Sequence, residues 1–241
     1  PVILVFPLSF AGEQVLRFPP TSWATRWYTA LFANSQMLKA FWTSLTLAAI
    51  VTVLSIAIAV PAAWAVTRLR FPGRDLFFNV FTAPLLLPTI VLGLAILIVF
   101  ASFKLLATLH GLVLAHLIVT LPYALRVLAV SLSTQDRACE EAARTLGAKP
   151  LTVFFRVTLP MMTPGIVASA ALCFLVSFDE VVITLFLTGP RITTLPVELY
   201  NYVYNQADPL VAAVSALLIL LTLAVIMIVE RAMGLRATFV R

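Results

Sequence analysis

The chain has 241 residues, of which 62% are hydrophobic and only 11% are Asp, Glu, Lys or Arg. Soluble domains contain roughly 45–50% apolar residues, so this composition excludes an ordinary soluble domain and predicts an all-α polytopic membrane protein. The net charge of +6 arises from Lys and Arg dispersed over short segments, with no basic run and no interleaved aromatic residues, and therefore does not indicate a nucleic-acid partner.

Five apolar stretches are long enough to cross a bilayer as helices, since about 20 residues rising about 1.5 Å each span the hydrocarbon core. They cover residues 37–66, 79–104, 109–131, 164–187 and 209–230. A sixth stretch, PVILVFPLSFA at the start, is too short to cross alone and is interpreted as the outer end of a truncated first helix. The alternative is the apolar region of a signal peptide, but no basic region or A-x-A cleavage site accompanies it.

The predicted organisation is therefore a first helix end with an outer aromatic segment at residues 1–36, followed by a core of five transmembrane helices at residues 37–241. Trp23, Trp27 and Leu31 recur at helical spacing, which fits a short helix on the outer surface and a loop with interfacial anchors equally well. In the predicted helix at residues 79–104, Pro84 and Pro88 remove backbone donors and predict a bend.

The basic residues indicate an orientation, because Lys and Arg are preferentially retained on the cytoplasmic side. If residues 12–36 lie outside, the cytoplasmic segments hold eleven basic residues and the outside holds five, so both chain ends are expected in the cytoplasm. The eleven are Arg68, Arg70, Arg74, Arg126, Arg137, Arg144, Lys149, Arg156, Arg231, Arg236 and Arg241. The five are Arg17, Arg26, Lys39, Lys104 and Arg191.

Charged residues gather at residues 132–163, between the long stretches at 109–131 and 164–187. Ser133 and Asp136 have the spacing of a capping box, which predicts the start of a short helix. Glu140 and Arg144 form a favourable i,i+4 pair on that helix.

The same segment contains signals for a turn and a second helix. Gly147 is suited to end the first helix with a positive φ, and Pro150 is suited to the first turn of the next. Leu159–Pro160 is predicted to stop the second helix. A solvated loop that merely joins two long helices is the alternative.

The spacing of this segment is E-A-A, three residues, G, nine residues, a hydrophobic residue, one residue and L-P. It resembles the EAA loop of the membrane subunits of ABC importers that are served by a soluble binding protein, with Val157 replacing the commoner Ile. Residues 177–203, SFDEVVITLFLTGPRITTLPVELYNYV, are similar to the spermidine/putrescine-type permeases. The matching residues of the loop are Glu141, Ala142, Ala143, Gly147, Val157, Leu159 and Pro160.

This resemblance implies a type I importer permease of about six helices, the first truncated, which translocates a small solute. A polyamine or similar organic cation is favoured. The permease would hold no cofactor and would not be an enzyme: the sequence lacks a G-x-x-x-x-G-K-[ST] loop, and a partner ATPase would bind ATP and Mg²⁺. Residues 132–163, which we call the coupling segment, would contact that ATPase. The implied ATPase-coupling residues are Glu140, Glu141, Ala142, Ala143, Leu146, Gly147, Ala148, Pro150, Leu159 and Pro160.

The resemblance also implies partners and a location. Two copies of an ABC ATPase, a second and different permease subunit, and a periplasmic or lipid-anchored solute-binding protein are expected, in the cytoplasmic (inner) membrane of a bacterium. Residues 188–208 are predicted to be an outer loop that contacts the binding protein, although its tyrosines suit an interfacial belt as well. The candidate contacts are Arg191, Glu198, Tyr200 and Tyr204.

Asp179 and Glu180 are acidic residues deep within a predicted membrane helix, where charges are costly and face a water-filled cavity or a partner. One hypothesis places them on the substrate pathway, where they favour a cationic solute; the other has them brace the subunit interface. The alternative function is that of an ion-coupled secondary transporter or another polytopic membrane protein. In such a transporter the two carboxylates would serve proton coupling. An ABC exporter half is disfavoured because no long cytoplasmic helix extension is present.

Two residue types with catalytic or metal-binding potential receive structural interpretations. Cys139 and Cys173 lie in different environments and lack zinc-site spacing, so they are predicted to be unpaired and no metal site is expected. His116 is interpreted as a hydrogen-bonded packing residue, with a proton relay as the alternative. No catalytic residue is predicted.

Overall fold

The computed structural model describes residues 2–206 and 208–233, and this part of the chain is mostly helical. Arg236 and Arg241, which entered the orientation count, lie outside the described residues, as does Pro1 of the predicted first helix end. The α-helices of the described part are α1 (Val5–Ser9), α2 (Arg26–Ala33), α3 (Ser35–Arg68), α4 (Arg74–Thr82), α5 (Thr89–Ser102), α6 (Leu109–Ser133), α7 (Ala138–Thr145), α8 (Pro150–Val153), α9 (Leu159–Met161), α10 (Thr163–Phe178), α11 (Val182–Leu187), α12 (Leu195–Asn205) and α13 (Leu210–Met233).

Three helices of the described part are long and apolar enough to cross a membrane: α3, α6 and Leu210–Arg231 within α13. Two bent helix pairs pass the same test if each counts as one crossing, which gives up to five crossings. The predicted helices at residues 37–66, 109–131 and 209–230 are therefore confirmed as continuous helices.

The bend predicted at Pro84 and Pro88 is confirmed, but the expectation of one continuous helix at residues 79–104 is wrong, because the helix is interrupted there. A 3₁₀ turn at Ala83–Leu86 follows α4, and α5 begins only at Thr89. Leu87 between them is extended, with φ −91° and ψ 139°. Pro88 explains this conformation, since the residue before a proline is disfavoured from the helical region.

The prediction of a continuous helix at residues 164–187 is also wrong. α10 ends at Phe178, and α11 begins at Val182. Asp179 and Glu180 thus lie in a break and not inside a regular helix. Farther back in the chain, a bend of 67° separates Pro150–Met161 from Thr163–Phe178.

The described helices form two compact units, the first of which comprises residues 1–48, 89–114 and 178–227. Within this unit α5 and α11 pack closely at Gly93. A Cβ atom at this position would lie only 2.8 Å from the ring of Phe186, so a larger residue would not fit without a shift. The start of α12 is fixed by a buried hydrogen bond of 2.8 Å, in which the Leu195 N–H donates to Ser44 Oγ.

Among the described residues, the second unit comprises 49–88, 115–177 and 228–233. Hydroxyl and imidazole groups join its long helices: Ser55 Oγ lies 2.7 Å from Thr120 Oγ1, and His116 Nδ1 lies 2.9 Å from Ser177 Oγ. His116 is 1% exposed, so its interpretation as a hydrogen-bonded packing residue is confirmed. The buried apolar core of this unit contains Ala59, Val60, Ala63, Ala124, Leu125, Leu128, Leu132, Phe154, Met162 and Cys173.

Two segments predicted to lie outside the long helices are only partly as expected. α2 contains Trp27 and Leu31, but Trp23 precedes it in an isolated bridge with Ala11, so the helix is shorter than the aromatic spacing suggested. Residues 188–208 were predicted to be a loop, and this is wrong because most of them form α12.

Candidate functional site

The coupling segment forms two short helical stretches joined by a tight turn. α7 begins at Ala138, whose N–H donates to Asp136 Oδ1 at 3.0 Å. The predicted capping box is wrong, because Ser133 Oγ donates to the Val130 carbonyl of α6 and takes no part in the start of α7. Asp136 alone satisfies a backbone donor at this helix start.

The turn after α7 is built on Gly147, as predicted. Gly147 has a φ of +85°, in the left-handed region that glycine adopts without a steric cost. Its N–H donates to the Arg144 carbonyl at 2.9 Å, and the Ala148 N–H donates to the Ala143 carbonyl at 3.0 Å, the two bonds of a Schellman motif. Pro150 then begins α8, where a missing N–H leaves no helical bond unmade.

Glu140 is buried, although it lies in the first turn of a largely exposed helix. Its carboxylate Oε1 accepts a hydrogen bond from Arg68 Nε at 3.0 Å, and only 3% of Glu140 is exposed. The predicted pair of Glu140 with Arg144 is therefore wrong: the cationic partner is the last residue of α3, not the neighbour one turn along α7. We call Arg68 and Glu140 the buried pair.

Further hydrogen bonds hold the coupling segment at the end of α3. Arg137 Nη2 donates to the Thr67 carbonyl at 3.1 Å, and Arg68 Nη2 donates to the Gln135 carbonyl at 3.4 Å. Gln135 Nε2 in turn donates to the Met161 carbonyl at 2.8 Å. Sequence reasoning missed Arg68 as a residue of this site, because its only visible signal was one basic residue among several flanking the long helices.

The turn and the second helical stretch expose large apolar side chains. Leu146 is 89% exposed, Leu151 69% and Phe155 60%. Glu141 and Ala142 of α7 are exposed as well. An exposed cluster of apolar side chains edged by charged residues is typical of a protein–protein contact surface.

The second helical stretch ends at Met161, one residue after the Leu159–Pro160 that was predicted to stop it. Helical structure continues from Pro150 to Met161 through a π-helical turn at Phe154–Thr158. Pro160 has no N–H, and its ring clashes with the preceding turn of a regular α-helix. The wider π turn in front of Pro160 relieves that clash, so helical structure persists as far as Met161.

The carboxylates of Asp179 and Glu180, which are neighbours in sequence, have different surroundings. Glu180 Oε1 accepts a hydrogen bond of 2.9 Å from the Ile183 N–H, in the first turn of α11. Asp179 is exposed, whereas Glu180 is half-buried. Glu180 therefore stabilises a helix start, and Asp179 presents its carboxylate to the surroundings.

The predicted binding-protein contacts lie on α12 or shortly before it. Tyr200 and Tyr204, one turn apart, are 51% and 85% exposed. Arg191 is exposed and Glu198 is half-buried. Two exposed tyrosines on one helical face provide an amphipathic contact surface.

Tyr202 points away from that surface and joins α12 to α13. Its hydroxyl donates to Asp208 Oδ2 at 2.7 Å, and Asp208 Oδ1 accepts the Leu210 N–H at 3.0 Å. Burial, with the hydrogen bond to Asp208, raises the pKa of Tyr202 above its ordinary value. The side chain is thus a neutral donor that closes the turn between the two helices.

The structure places all candidate coupling residues in one segment of the second unit, whereas the candidate pathway and binding-protein residues belong to the first. Within the described residues, no group of three or more His, Cys, Asp or Glu side chains could hold a metal ion. Cys139 is exposed and Cys173 is buried, and both are free thiols. The functional roles of these residues stay predictions.

Long apolar helices, two bent helix pairs and the polar coupling segment define the class of helical membrane proteins. Residues 55–235 match the family described as "Binding-protein-dependent transport system inner membrane component". The chain belongs to this family and is a permease subunit of an ABC importer.

Relatives of known identity agree with this assignment. The chain is 34% identical over 231 residues to the putrescine transport system permease protein PotI of Escherichia coli K12, covering 91% of this chain and 80% of the relative. It is 29% identical over 226 residues to the spermidine/putrescine permease PotC of the same strain, covering 94% and 85%. The sulfate permease CysT of Salmonella typhimurium LT2 is 29% identical over 243 residues, covering 93% and 86%.

Solved structures show the same fold at low sequence identity. A bacterial ABC transporter involved in alginate import matches with a TM-score of 0.70 and 16% identity, over 100% of this chain and 90% of that chain. An amino acid ABC transporter matches with a TM-score of 0.65 and 15% identity, over 86% and 97%. The predicted fold of a type I importer permease is confirmed.

Proposed function

We propose that this chain is one permease subunit of an ATP-driven importer for a polyamine or a similar organic cation. The observation that supports this cargo is the 34% identity to a putrescine permease over 91% of the chain. A sulfate permease aligns over a comparable share at 29% identity, which makes sulfate the cargo to test against.

The coupling segment docks on a partner ATPase through its exposed residues. Leu146, Leu151 and Phe155 supply the apolar contact, and the Gly147 turn lets another backbone approach closely. Glu141 offers its carboxylate to basic or backbone donors of the partner. Two ATPase copies bind ATP and Mg²⁺ and perform the hydrolysis.

Two assignments change within this docking surface. Glu140 was expected among the coupling contacts, but its carboxylate is buried against Arg68 and cannot reach a partner while that pair persists. Glu140 instead supports the docking surface indirectly, because its pair with Arg68 holds α7 in place. Leu159 also changes, because it packs partly buried against the core of the second unit. The proposed partner-facing set is Glu141, Ala142, Ala143, Leu146, Gly147, Ala148, Pro150, Leu151, Phe155 and Pro160.

Asp179 lines the translocation pathway and favours a cationic solute. A charge within the hydrocarbon core costs about 2.5 kcal/mol or more, so an exposed carboxylate there requires water or a ligand beside it. Glu180 contributes indirectly, because its hydrogen bond to the Ile183 N–H holds the start of α11.

A solute-binding protein, free in the periplasm or lipid-anchored, delivers the cargo and contacts α12 and Arg191. A second, different permease subunit completes the pathway, since one chain supplies half of it. The chain lies in a bacterial cytoplasmic membrane with both ends inside. The excess of eleven basic residues over five on the assigned cytoplasmic side supports this orientation.

Uptake by cells tests the proposal. A host strain that lacks this chain should lose uptake of radiolabelled putrescine, and a plasmid copy should restore it, while sulfate uptake stays unchanged. An affinity-tagged copy should co-purify an ATPase that carries the G-x-x-x-x-G-K-[ST] loop. Normal putrescine uptake with lost sulfate uptake would contradict the cargo, and the absence of any such ATPase would contradict the machinery.

A further inference from the structure

The buried pair is unusual in that both charged side chains lie in the interior of one unit. The side chain of Arg68 is 3% exposed and that of Glu140 is 4% exposed. Charged side chains are almost never this buried unless they are paired, because desolvation is costly and only a close partner offsets it. The two residues are therefore held together strongly in the folded chain: separating them would leave two uncompensated charges.

The pair joins two helices that are distant in sequence. Arg68 is the last residue of the 34-residue helix α3, and Glu140 lies in the first turn of α7. One turn before Arg68, the ring of Trp64 packs edge-to-face on Phe154 of the coupling segment, with 5.2 Å between ring centroids. The end of α3 thus contacts both helical stretches of the coupling segment.

Besides these contacts, a hydrogen bond from Arg137 Nη2 to the Thr67 carbonyl joins the start of α7 to α3, and the chain itself joins α7 to α6. Four residues, 134–137, connect α6 to α7. Such a non-helical link transmits a displacement of α7 less directly than a packed side-chain contact does. A displacement of α7 reaches α3 through the buried pair and the hydrogen bond from Arg137 to the Thr67 carbonyl, and it reaches α6 through the link.

We propose that Arg68 is a positioning residue for energy coupling, which fixes α7 to the end of α3 so that movement of α7 by the ATPase is passed to α3. This inference rests on the proposed function, since it presupposes an ATPase that moves α7. Arg68 does not touch ATPase or cargo; it acts through Glu140.

The decisive variant is Arg68→Gln, with Arg70→Gln as its matched control. Arg70 stands two residues later and is exposed, so both variants remove one cation at the same helix end but only one breaks the buried pair. The exchange variant Arg68→Glu with Glu140→Arg reverses the pair without removing it. The tagged complex is purified from the native host, and uptake of radiolabelled putrescine is divided by the amount of assembled complex.

In Arg68→Gln, putrescine uptake per complex should fall at least about tenfold, while the co-purified ATPase changes less than about twofold. Arg70→Gln should stay within about twofold of the unaltered chain, as for an exposed charge. The exchange variant should recover most of the uptake. A nitroxide label on the exposed thiol of Cys139, next to Glu140, should become more mobile in Arg68→Gln and not in Arg70→Gln.

Unchanged uptake per complex in Arg68→Gln, or a loss that only parallels reduced assembly, would overturn the inference. If Arg68→Gln does not assemble, the exchange variant decides: recovered assembly and uptake support the pair, and failure of either overturns it. If the unaltered chain itself carries no ATPase or no putrescine, the proposed function has failed instead. The Cys139 label still reports whether Arg68 positions α7.

Discussion

The chain contains two adjacent acidic pairs, Glu140–Glu141 and Asp179–Glu180, one in each compact unit. In each pair, one carboxylate is satisfied within the chain: Glu140 by Arg68, and Glu180 by a backbone N–H of α11. The other carboxylate, on Glu141 or Asp179, is exposed. In each pair, therefore, one carboxylate stabilises the fold, and the carboxylate next to it in sequence is available to a partner or a solute.

The two pairs differ in how strongly the inner carboxylate is held. Removing one member of a buried ion pair costs about 3–5 kcal/mol, because the other charge stays buried without a partner. Losing a side-chain acceptor at a helix start costs about 1 kcal/mol. The first pair therefore tolerates little change at Glu140, whereas the second should tolerate change at Glu180 better.

The largest expected effect comes from Gly147→Pro, which separates the exposed part of the coupling segment from its support. Proline holds φ near about −65°, and it has no N–H. Gly147 has a φ of +85° and donates its N–H to Arg144. The variant should abolish ATP hydrolysis stimulated by the loaded binding protein, measured on the reconstituted complex.

Gly73→Pro is the control for that experiment. Gly73 also has a positive φ, +83°, but it precedes α4 and not the exposed tip of the coupling segment. We expect Gly73→Pro to keep more stimulated hydrolysis than Gly147→Pro at equal assembly. Normal stimulated hydrolysis in an assembled Gly147→Pro complex would show that the turn at Gly147 does not couple ATP hydrolysis to the permease.

Within the first acidic pair, Glu140→Ala should lower the free energy of unfolding by about 3–5 kcal/mol, because Arg68 is left buried and unpaired. Glu141→Ala, on the exposed side, should change it by less than about 0.5 kcal/mol. Denaturant titration of the purified chain in detergent measures both. Equal stability losses would mean that the two carboxylates do not divide their roles.

Local backbone requirements explain why much of the coupling segment could be predicted. Gly147 needs a positive φ, and Pro150 lacks a donor that a first helical turn does not use, so each residue type indicates its own position. The long helices α3, α6 and α13 were equally visible, since their apolar runs match the thickness of a bilayer.

The contacts that complete the site are long-range and could not be predicted in this way. Arg68 and Glu140 are 72 residues apart, and the i,i+4 rule favoured Arg144 because it considers only neighbours on one helix. The break at Asp179 was hidden because apolar residues continue on both sides of it. α12 was taken for a loop, since its start depends on a hydrogen bond to the distant Ser44.

Within the second acidic pair, Asp179→Asn should reduce uptake of a cationic solute several-fold, on the order of the tenfold that one lost charge contact of about 1.4 kcal/mol gives. Glu180→Gln keeps an oxygen that can accept the Ile183 N–H, so it should retain most of the uptake. Radiolabelled putrescine uptake, corrected for assembled complex, compares the two. Wild-type uptake in both variants would remove the pathway role and leave only bracing.

The smallest expected effect concerns two tyrosines of α12, of which one is exposed and the other is bonded within the chain, as in the acidic pairs. Tyr204 is 85% exposed, whereas the Tyr202 hydroxyl is bonded to Asp208. Tyr204→Ala should weaken binding of the solute-binding protein by about 1 kcal/mol, roughly fivefold, as expected for truncation of an interfacial tyrosine. Tyr202→Phe should leave this affinity unchanged and instead lower the free energy of unfolding by about 1 kcal/mol. Titration of the binding protein against the complex in lipid nanodiscs measures the affinities. A weaker affinity for Tyr202→Phe with none lost in Tyr204→Ala would reverse the assignment of the two faces of α12.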